Sequence, residues 1–500
     1  MQPAIRNFAL LFFASLLFHL AGSWSLPLID RDEPRFAEAS REMLERSDFV
    51  VPYFNNSYRF DKPPLTYWFQ AASYRVFGEN EFAARFPSAV AAALTAVVLL
   101  AWGRRIGDER VGWWAAVMFT LCWQTTMHAK AAVADMWLVL FVTLAHWAGY
   151  ELLRDRLGGG GARGGERPTS NVQRSTSNAE AVSPRWWWVF YLALAFAFLA
   201  KGPIGWTPLL AVAATLFFLP GVQLQRRFLF LTGILLMLAV VAVWGIPALV
   251  RTKGEFFHVG IGKHVVDRSF NAMEGHGGGS LAIYFATLPF YFVAIFLTFF
   301  PWSLSLPALV QRLWRERDPL DDYLLAGTAA VFVIFTLVKT KLPHYTLPAY
   351  PLLALLLAKW FVTRRDAAKI VRRRAIGFGA FALLLAAASP MARHYVPAVE
   401  LVRQARADLT PEMQFGAVRY HEPSLVWYFR RYVRSWMTEV NDADAKAFME
   451  TPGARFLVLP TKLATELYPT IPEGWKAYRV RGLNVARLRP VELTMLLKRS

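Results

Sequence analysis

One cysteine in 500 residues leaves no room for an intrachain disulfide or a Cys-based metal cluster. Cys122 lies in an apolar stretch, and packing inside a helix is its expected role. Charge is scarce too. Only 18% of the residues are Asp, Glu, Lys or Arg, against about a quarter in an ordinary soluble protein. Acids are the scarcer sign, 36 against 55 basic residues, for a formal charge of +19. Such a surplus invites a nucleic-acid reading. Here the Arg residues cluster between apolar runs, so they read as basic loops and no nucleic-acid partner is expected. A good small-x-small cleavage site is missing after the first apolar stretch, and many more such stretches follow. That favours an uncleaved first span over a leader peptide.

What the chain has in abundance is apolar length. It is 55% hydrophobic with a mean hydropathy of +0.30. Runs of about 17 to 25 apolar residues match the hydrocarbon thickness of a bilayer. The fold class is therefore an all-α polytopic membrane protein. Spans are expected at about 8–26, 86–103, 112–129, 133–151, 186–200, 204–220, 229–249, 281–300, 323–338, 345–360 and 375–391. Pro301 interrupts a stretch too long for one upright helix, so the expected count is 11 to 13. Nineteen Trp and seventeen Tyr suit two membrane interfaces.

Basic residues set the expected orientation. Arg104, Arg105 and Arg110 share one short loop, Arg226 and Arg227 a second, and Arg312, Arg315 and Arg317 a third. The fourth and richest runs from Lys359 to Arg374. All fall on one side if the spans alternate, and the positive-inside rule makes that side cytoplasmic. The loop 27–85, the segment around 251–280 and the tail then lie outside. A Gly/Ser/Thr/Asn-rich insert at 154–184 is too polar to repay its ordering entropy and reads as a flexible cytoplasmic loop. Residues 1–391 form the expected membrane domain. Beyond them, ARFLVLP and WKAYRVRGLNVARLRPV read as strands, and SLVWYFR as a helix or strand. Residues 392–500 are thus expected to be a small extracytoplasmic α/β domain, capping a site or meeting a partner.

Charged groups gather at the external ends of the spans. In DRDEPRFAEASREML, Pro34 can begin a helix with Asp32 and Glu33 at its N-terminus, and Glu38 and Glu42 fall on one face near Arg35. Asp32 can point into a cavity, while the rest of the stretch also reads as a solvated amphipathic helix. In YRFDKPPLTYW, two prolines hold Asp61 and Lys62 rigidly. Asp135 sits among apolar neighbours just inside a span, so it must pair, with Lys130 or another Lys, or face a wet cavity. His128 and Lys130 are near the same boundary. Lys201 ends the fifth span, where snorkelling is the plain alternative to phosphate binding. Later external segments add His258, Lys263, His264, Asp267, Arg268, Lys339, Lys341, His344 and Tyr345. Cations on the outer side run against the inside rule, and anion binding would offset that cost.

The segments DRDEPRFAEASREML, FDKPPLTYW, AVADMW, AKGPIG and KLPHYTLPAYP resemble, in order, spacing and wording, glycosyltransferase family 39 and its bacterial relatives, the 4-amino-4-deoxy-L-arabinose lipid A transferases. The likeness covers roughly residues 1–390. It implies the GT-C fold and a sugar donor carried on undecaprenyl phosphate. It implies that Asp32 and Asp135 are the catalytic carboxylates. Arg35, Lys62, Lys201, Arg268, Lys341 and Tyr345 would hold the carrier phosphate and substrate. Nothing in the residues themselves requires a cofactor. The resemblance implies a divalent metal, zinc, on Asp61 and His264, with Asp61 standing where the relatives have Glu. Transfer would proceed by direct attack with inversion at C1, because no second nucleophile is evident. The expected acceptor is lipid A. The expected location is the bacterial inner membrane, with the site facing the periplasm and the protein a monomer. Two alternatives stay open: hexose transfer to protein or another envelope glycan, as in the protein O-mannosyltransferases, and a lipid-linked sugar flippase. A flippase would carry paired repeats and polar groups at mid-membrane, whereas here they gather at span ends.

Overall fold

The computed structural model describes residues 3–155, 157, 184–218, 225–260, 262 and 281–499. Most of the insert expected at 154–184 lies outside these, as do Lys263, His264, Asp267 and Arg268.

Each of the eleven expected spans coincides at least in part with helix among the described residues, although the first helix ends at Leu20. By length and apolarity five described helices can each cross a membrane alone: Glu81–Ile106, Asp135–Leu153, Phe230–Arg251, Pro319–Leu337 and Ala367–Tyr395. A sixth is the pair Ala282–Thr298 and Trp302–Arg315, bent by 110° on either side of Pro301. Other expected spans are shorter or broken. Proline breaks several, because it lacks the N–H that continues a helix. Pro203 opens the turn that separates Arg185–Lys201 from Thr207–Phe218, and the Pro343–Ala349 turn precedes Tyr350–Phe361.

Burial sorts these helices. Asp135–Leu153 is 83% buried within its apolar window and forms the centre of the bundle. Phe230–Arg251 and Ala367–Tyr395 are only 22% and 17% buried although more apolar, the signature of helices facing lipid. Glu81–Ile106 and Glu109–Thr120 cross in backbone contact. A Cβ on Gly103 would stand 2.3 Å from Gly112 Cα, so only glycine fits there.

The helix Asp32–Arg46 lies in the loop between the first two spans, and it is not solvated. Glu38, Arg41 and Glu42 are buried. Their partners come from the chain's other end, which excludes the solvated-helix alternative for this stretch. Arg430 donates to Glu38 at 2.5 Å, and Arg41 donates to the Trp427 carbonyl at 3.3 Å. A two-stranded hairpin follows, β1 (Tyr53–Phe54) and β2 (Ser57–Tyr58). Asn55 and Asn56 turn it with φ of 50° and 64°, the conformation short hairpin loops demand.

The C-terminal part is the expected small α/β unit. Its strands are β3 (Gln414–Ala417), β4 (Met437–Glu439), β5 (Arg455–Pro460), β6 (Trp475–Asn484) and β7 (Arg489–Lys498). The order is β4-β3-β5-β7-β6. The first three strands run parallel, and β7 pairs antiparallel with both β5 and β6. SLVWYFR is a helix, Pro423–Phe429. This unit is fastened to the membrane part. Tyr428 Oη accepts from Leu28 N at 2.9 Å, and Asn55 makes two 2.8 Å bonds with the Met437 backbone. A shared apolar cluster joins Leu28, Ala37 and Ala132 to Leu401, Trp427 and Met495.

Candidate functional site

Two cavities meet where the helices end beneath the C-terminal unit. The first, about 860 Å³, is walled by apolar residues including Leu138, Phe198, Trp206, Leu210, Val241 and Trp244. The second, about 1030 Å³, is polar, with Asp30, Asp32, Arg35, Arg59, His421, Glu439 and Arg487 in its wall. Seven residues line both: Phe60, Asp61, Lys62, Asp135, Lys201, His344 and Tyr345. An apolar chamber opening through a charged throat into a polar one fits an amphiphile with a long tail and an anionic head.

Helix ends position the throat. Asp135 is the first residue of Asp135–Leu153 and Lys201 the last of Arg185–Lys201. Each charge has the sign that its helix terminus favours. Gly202, at φ 83°, lets the chain turn away directly after Lys201. Lys201 Nζ lies 2.5 Å from Asp135 Oδ1 and 5.7 Å from the centre of the Tyr345 ring. Lys201, and not Lys130, is therefore the partner of Asp135. Lys130 instead donates to the carbonyls of Phe18, His19 and Ala21 at 2.7–3.0 Å.

The Asp61 loop forms the opposite wall. Asp61 accepts from Lys62 Nζ at 2.9 Å and from Arg59 at 2.9 Å, and Arg59 also donates to Tyr67 Oη at 3.0 Å. Burial works against the Arg59 charge, yet Tyr67 and Asp61 hold its guanidinium above its ordinary value. Asp30 is buried, which pushes its carboxyl up to about 7, while bonds from Ser424 N at 2.9 Å and Ser424 Oγ at 2.5 Å pull the other way.

Of the residues singled out in the sequence, Asp32, Arg35, Asp61, Lys62, Asp135, Lys201 and Tyr345 line this pair of cavities. Arg268 and His264 lie outside the described residues. Lys341 lines neither cavity. Its Nζ donates to the carbonyls of Phe335, Thr336 and Val338 at 3.0, 2.5 and 2.6 Å, capping the C-terminus of Pro319–Leu337. The metal expected on Asp61 finds a poor ligand there, since that carboxylate already lies between two cations. Among the described residues, the groups that do converge are His128, Asp135 and His344.

Sequence reading missed the roof of the polar cavity. His421, Glu439 and Arg487 come from the C-terminal unit, and no local pattern links them to residues some 400 positions earlier. It also missed that Glu33 is structural. Glu33 and Arg85 form a bidentate pair at 2.7 Å, and Arg85 is fully buried.

Comparison with known proteins agrees with this architecture. Residues 61–159 match the family described as Dolichyl-phosphate-mannose-protein mannosyltransferase. The chain is 31% identical over 346 residues to an undecaprenyl phosphate-alpha-4-amino-4-deoxy-L-arabinose arabinosyl transferase of Sodalis glossinidius, covering 66% of this chain and 55% of that protein. A protein of Erwinia tasmaniensis with the corresponding name is 29% identical, over 65% of this chain and 54% of its own length. The chain thus spans about half the length of these relatives. The crystal structure of ArnT from Cupriavidus metallidurans bound to undecaprenyl phosphate superposes with a TM-score of 0.76 at 19% identity, covering 98% of both chains. The bundle and its C-terminal sheet thus have the fold of that protein, and the sequence is similar to the mannosyltransferase family over residues 61–159 and to the aminoarabinose transferases over about two thirds of its length.

Proposed function

We propose that the chain is a membrane glycosyltransferase that moves a sugar from undecaprenyl phosphate to an envelope acceptor, lipid A being the acceptor that the family resemblance implies. One observation carries this reading: a charged throat shared by an apolar and a polar cavity. The prenyl tail occupies the apolar chamber. Its phosphate lies at the throat beside Lys62 and Lys201, and the acceptor enters the polar chamber under His421 and Arg487. A sugar C1 bonded to phosphate already has a good leaving group. The work left to the protein is to stabilise the departing phosphate, which the two lysines can do without reorganising. Asp32 accepts a proton if the acceptor is a hydroxyl, or orients the acceptor and steadies charge on the sugar if it is a phosphate. No step here passes through a metal. The test is incubation of the purified protein with labelled undecaprenyl-phosphate-linked sugars and envelope lipids, followed by mass spectrometry. Labelled lipid A supports the reading, and labelled protein or another glycan redirects the acceptor. Movement of the donor across the bilayer with no transfer to any acceptor would overturn it.

The throat assigns different roles to lysines that look alike in sequence. Removing a charge-assisted contact costs about 1.5–3 kcal/mol, a loss of roughly 10- to 150-fold in affinity. Lys62→Ala and Lys201→Ala are expected to weaken undecaprenyl phosphate binding by that factor. Lys341→Ala, which uncaps a helix, is expected to leave affinity unchanged and lower thermal stability. Native mass spectrometry or competition binding reads all three. Equal affinity in the wild type and both throat variants would remove the lysines from the phosphate site.

We infer the orientation from charge. Arg104 pairs with Glu109, Arg105 with Glu151, and Arg227 with Asp155, so several basic loops gather at one end of the bundle, away from the throat. That end is cytoplasmic by the positive-inside rule, with the 154–184 insert, and the C-terminal unit is periplasmic in the bacterial inner membrane. Cys122 is buried, so background labelling is low. Lys446→Cys is expected to react with an impermeant thiol reagent once the outer membrane is permeabilised. Ser170→Cys should stay protected until the inner membrane is opened. The reverse pattern would invert the topology.

A further inference from the structure

Three segments far apart in sequence bring a particular donor set together behind the throat. His128 lies in the last turn of the helix Trp123–Ala129, Asp135 opens Asp135–Leu153, and His344 lies in the turn Pro343–Ala349. One ring nitrogen of each histidine and one carboxylate oxygen all lie within 4.8 Å of one another. The imidazole rings are 4.8 Å apart between centroids. The Asp135–Lys201 pair does not account for this arrangement. Lys201 engages Oδ1, which leaves the second carboxylate oxygen for another partner, and neither histidine is needed to complete that pair. We propose that His128, Asp135 and His344 form a site for a divalent transition-metal ion of the zinc type, open to both cavities.

The donor set selects the metal class. Two imidazoles and one carboxylate suit zinc or cobalt, whereas calcium and magnesium require mostly oxygen ligands. Three protein ligands with the fourth position left open is the usual form of a reactive zinc site. Asp135 and His344 both line the two cavities, so the open position faces them and accepts water or a phosphate oxygen. Ligands of a tetrahedral zinc stand about 3.3–3.5 Å apart, given bonds of about 2.0–2.1 Å. The present spacing, within 4.8 Å, therefore has to contract by about an ångström for a tetrahedral ion to be held.

An orienting partner is already in place. Gln124 lies one helical turn before His128, and its amide nitrogen is 2.9 Å from His128 Nδ1. With the amide turned over, its oxygen accepts from Nδ1–H and leaves Nε2 for the metal. Metal-bound histidines characteristically carry such a partner on the second nitrogen. The site differs from a metal on Asp61, whose carboxylate is committed to Arg59 and Lys62.

Metal binding by the full-length protein tests this without any assumption about the reaction. The detergent-solubilised chain is stripped with chelator, dialysed and titrated with Co²⁺ alone. One equivalent is expected to bind with visible d–d bands of four-coordinate intensity, and Zn²⁺ is expected to displace it. His128→Ala and His344→Ala should each weaken binding by roughly 100-fold or more, and Gln124→Leu by roughly 10- to 100-fold, as for an outer-shell partner. Asp61→Ala should bind as the wild type does. If His128→Ala does not fold, His344→Ala and Gln124→Leu decide alone. Absence of binding at micromolar Co²⁺, or binding that survives loss of both histidines, would overturn the site.

Discussion

Asp32→Asn is expected to reduce sugar transfer by roughly 100-fold or more, the scale of a lost proton acceptor or a lost electrostatic contact in the transition state. The argument comes from how the carboxylates around the polar cavity are already engaged. Asp135 is bound to Lys201, Asp61 to Lys62 and Arg59, and Asp30 to Ser424. Asp32 lines the same cavity, is exposed, and forms no hydrogen bond or ion pair among the described residues. It opens the helix Asp32–Arg46, where the N-terminus favours its negative charge without neutralising it. Its charge is felt at Arg59, Tyr67 and His128, so it stands near the throat rather than at the outer rim. The substitution keeps the shape and removes only the charge. Folding and undecaprenyl phosphate affinity should therefore match the wild type while single-turnover transfer of a labelled donor slows. Transfer within a few-fold of wild type would remove Asp32 from the chemistry.

Much of this arrangement could be read from single residues, and little of it from pairs. A charge beside an apolar span is costly in lipid, so Asp135 and Lys201 stand out individually. That they meet each other across 66 positions follows only from how the helices pack. Lys341 shows the converse. A lysine two residues before a proline and just past an apolar helix looks the same whether it binds phosphate or caps carbonyls, and the three carbonyls it caps lie at the end of the preceding helix. For Glu38 and Glu42 the sequence leaves the wet-face alternative open, because polar periodicity cannot distinguish water from a docked domain. Their surroundings include Trp427 and Arg430, nearly 400 residues later. The expected span intervals coincide largely with helix because apolar length is the property lipid demands. Their division into short pieces depends on proline and on packing, which hydropathy does not register.

Glu33→Ala and Arg85→Ala should each cost about 3–5 kcal/mol of stability, the range for removing one partner from a buried ion pair. Arg85 is fully buried in Glu81–Ile106, and its five hydrogen bonds leave no donor spare. Two go to Glu33, both at 2.7 Å. Three go to the carbonyls of Ser23, Leu26 and Pro27, at 3.2, 2.5 and 2.8 Å. Those carbonyls end the first apolar stretch and lead into the loop that carries Asp30 and Asp32. Glu33 in turn accepts from the backbone N–H of Ile29 and of Ala132, each at 2.8 Å. One ion pair thus ties the first span, the Asp32 helix and the approach to Asp135 into a single unit. Arg85→Ala strands a carboxylate and three carbonyls, and Glu33→Ala strands a guanidinium and two amides. The double variant Glu33→Met/Arg85→Met should lose clearly less than the sum of the two single losses, because no uncompensated charge remains. Thermal unfolding in detergent reads all three variants. Additive losses would mean that the two side chains act independently and that the loop is held by packing alone. Sub-additive losses, together with a fall in transfer by the single variants at temperatures where they remain folded, would mean that the pair sets the position of Asp32 as well as the stability of the loop that carries it.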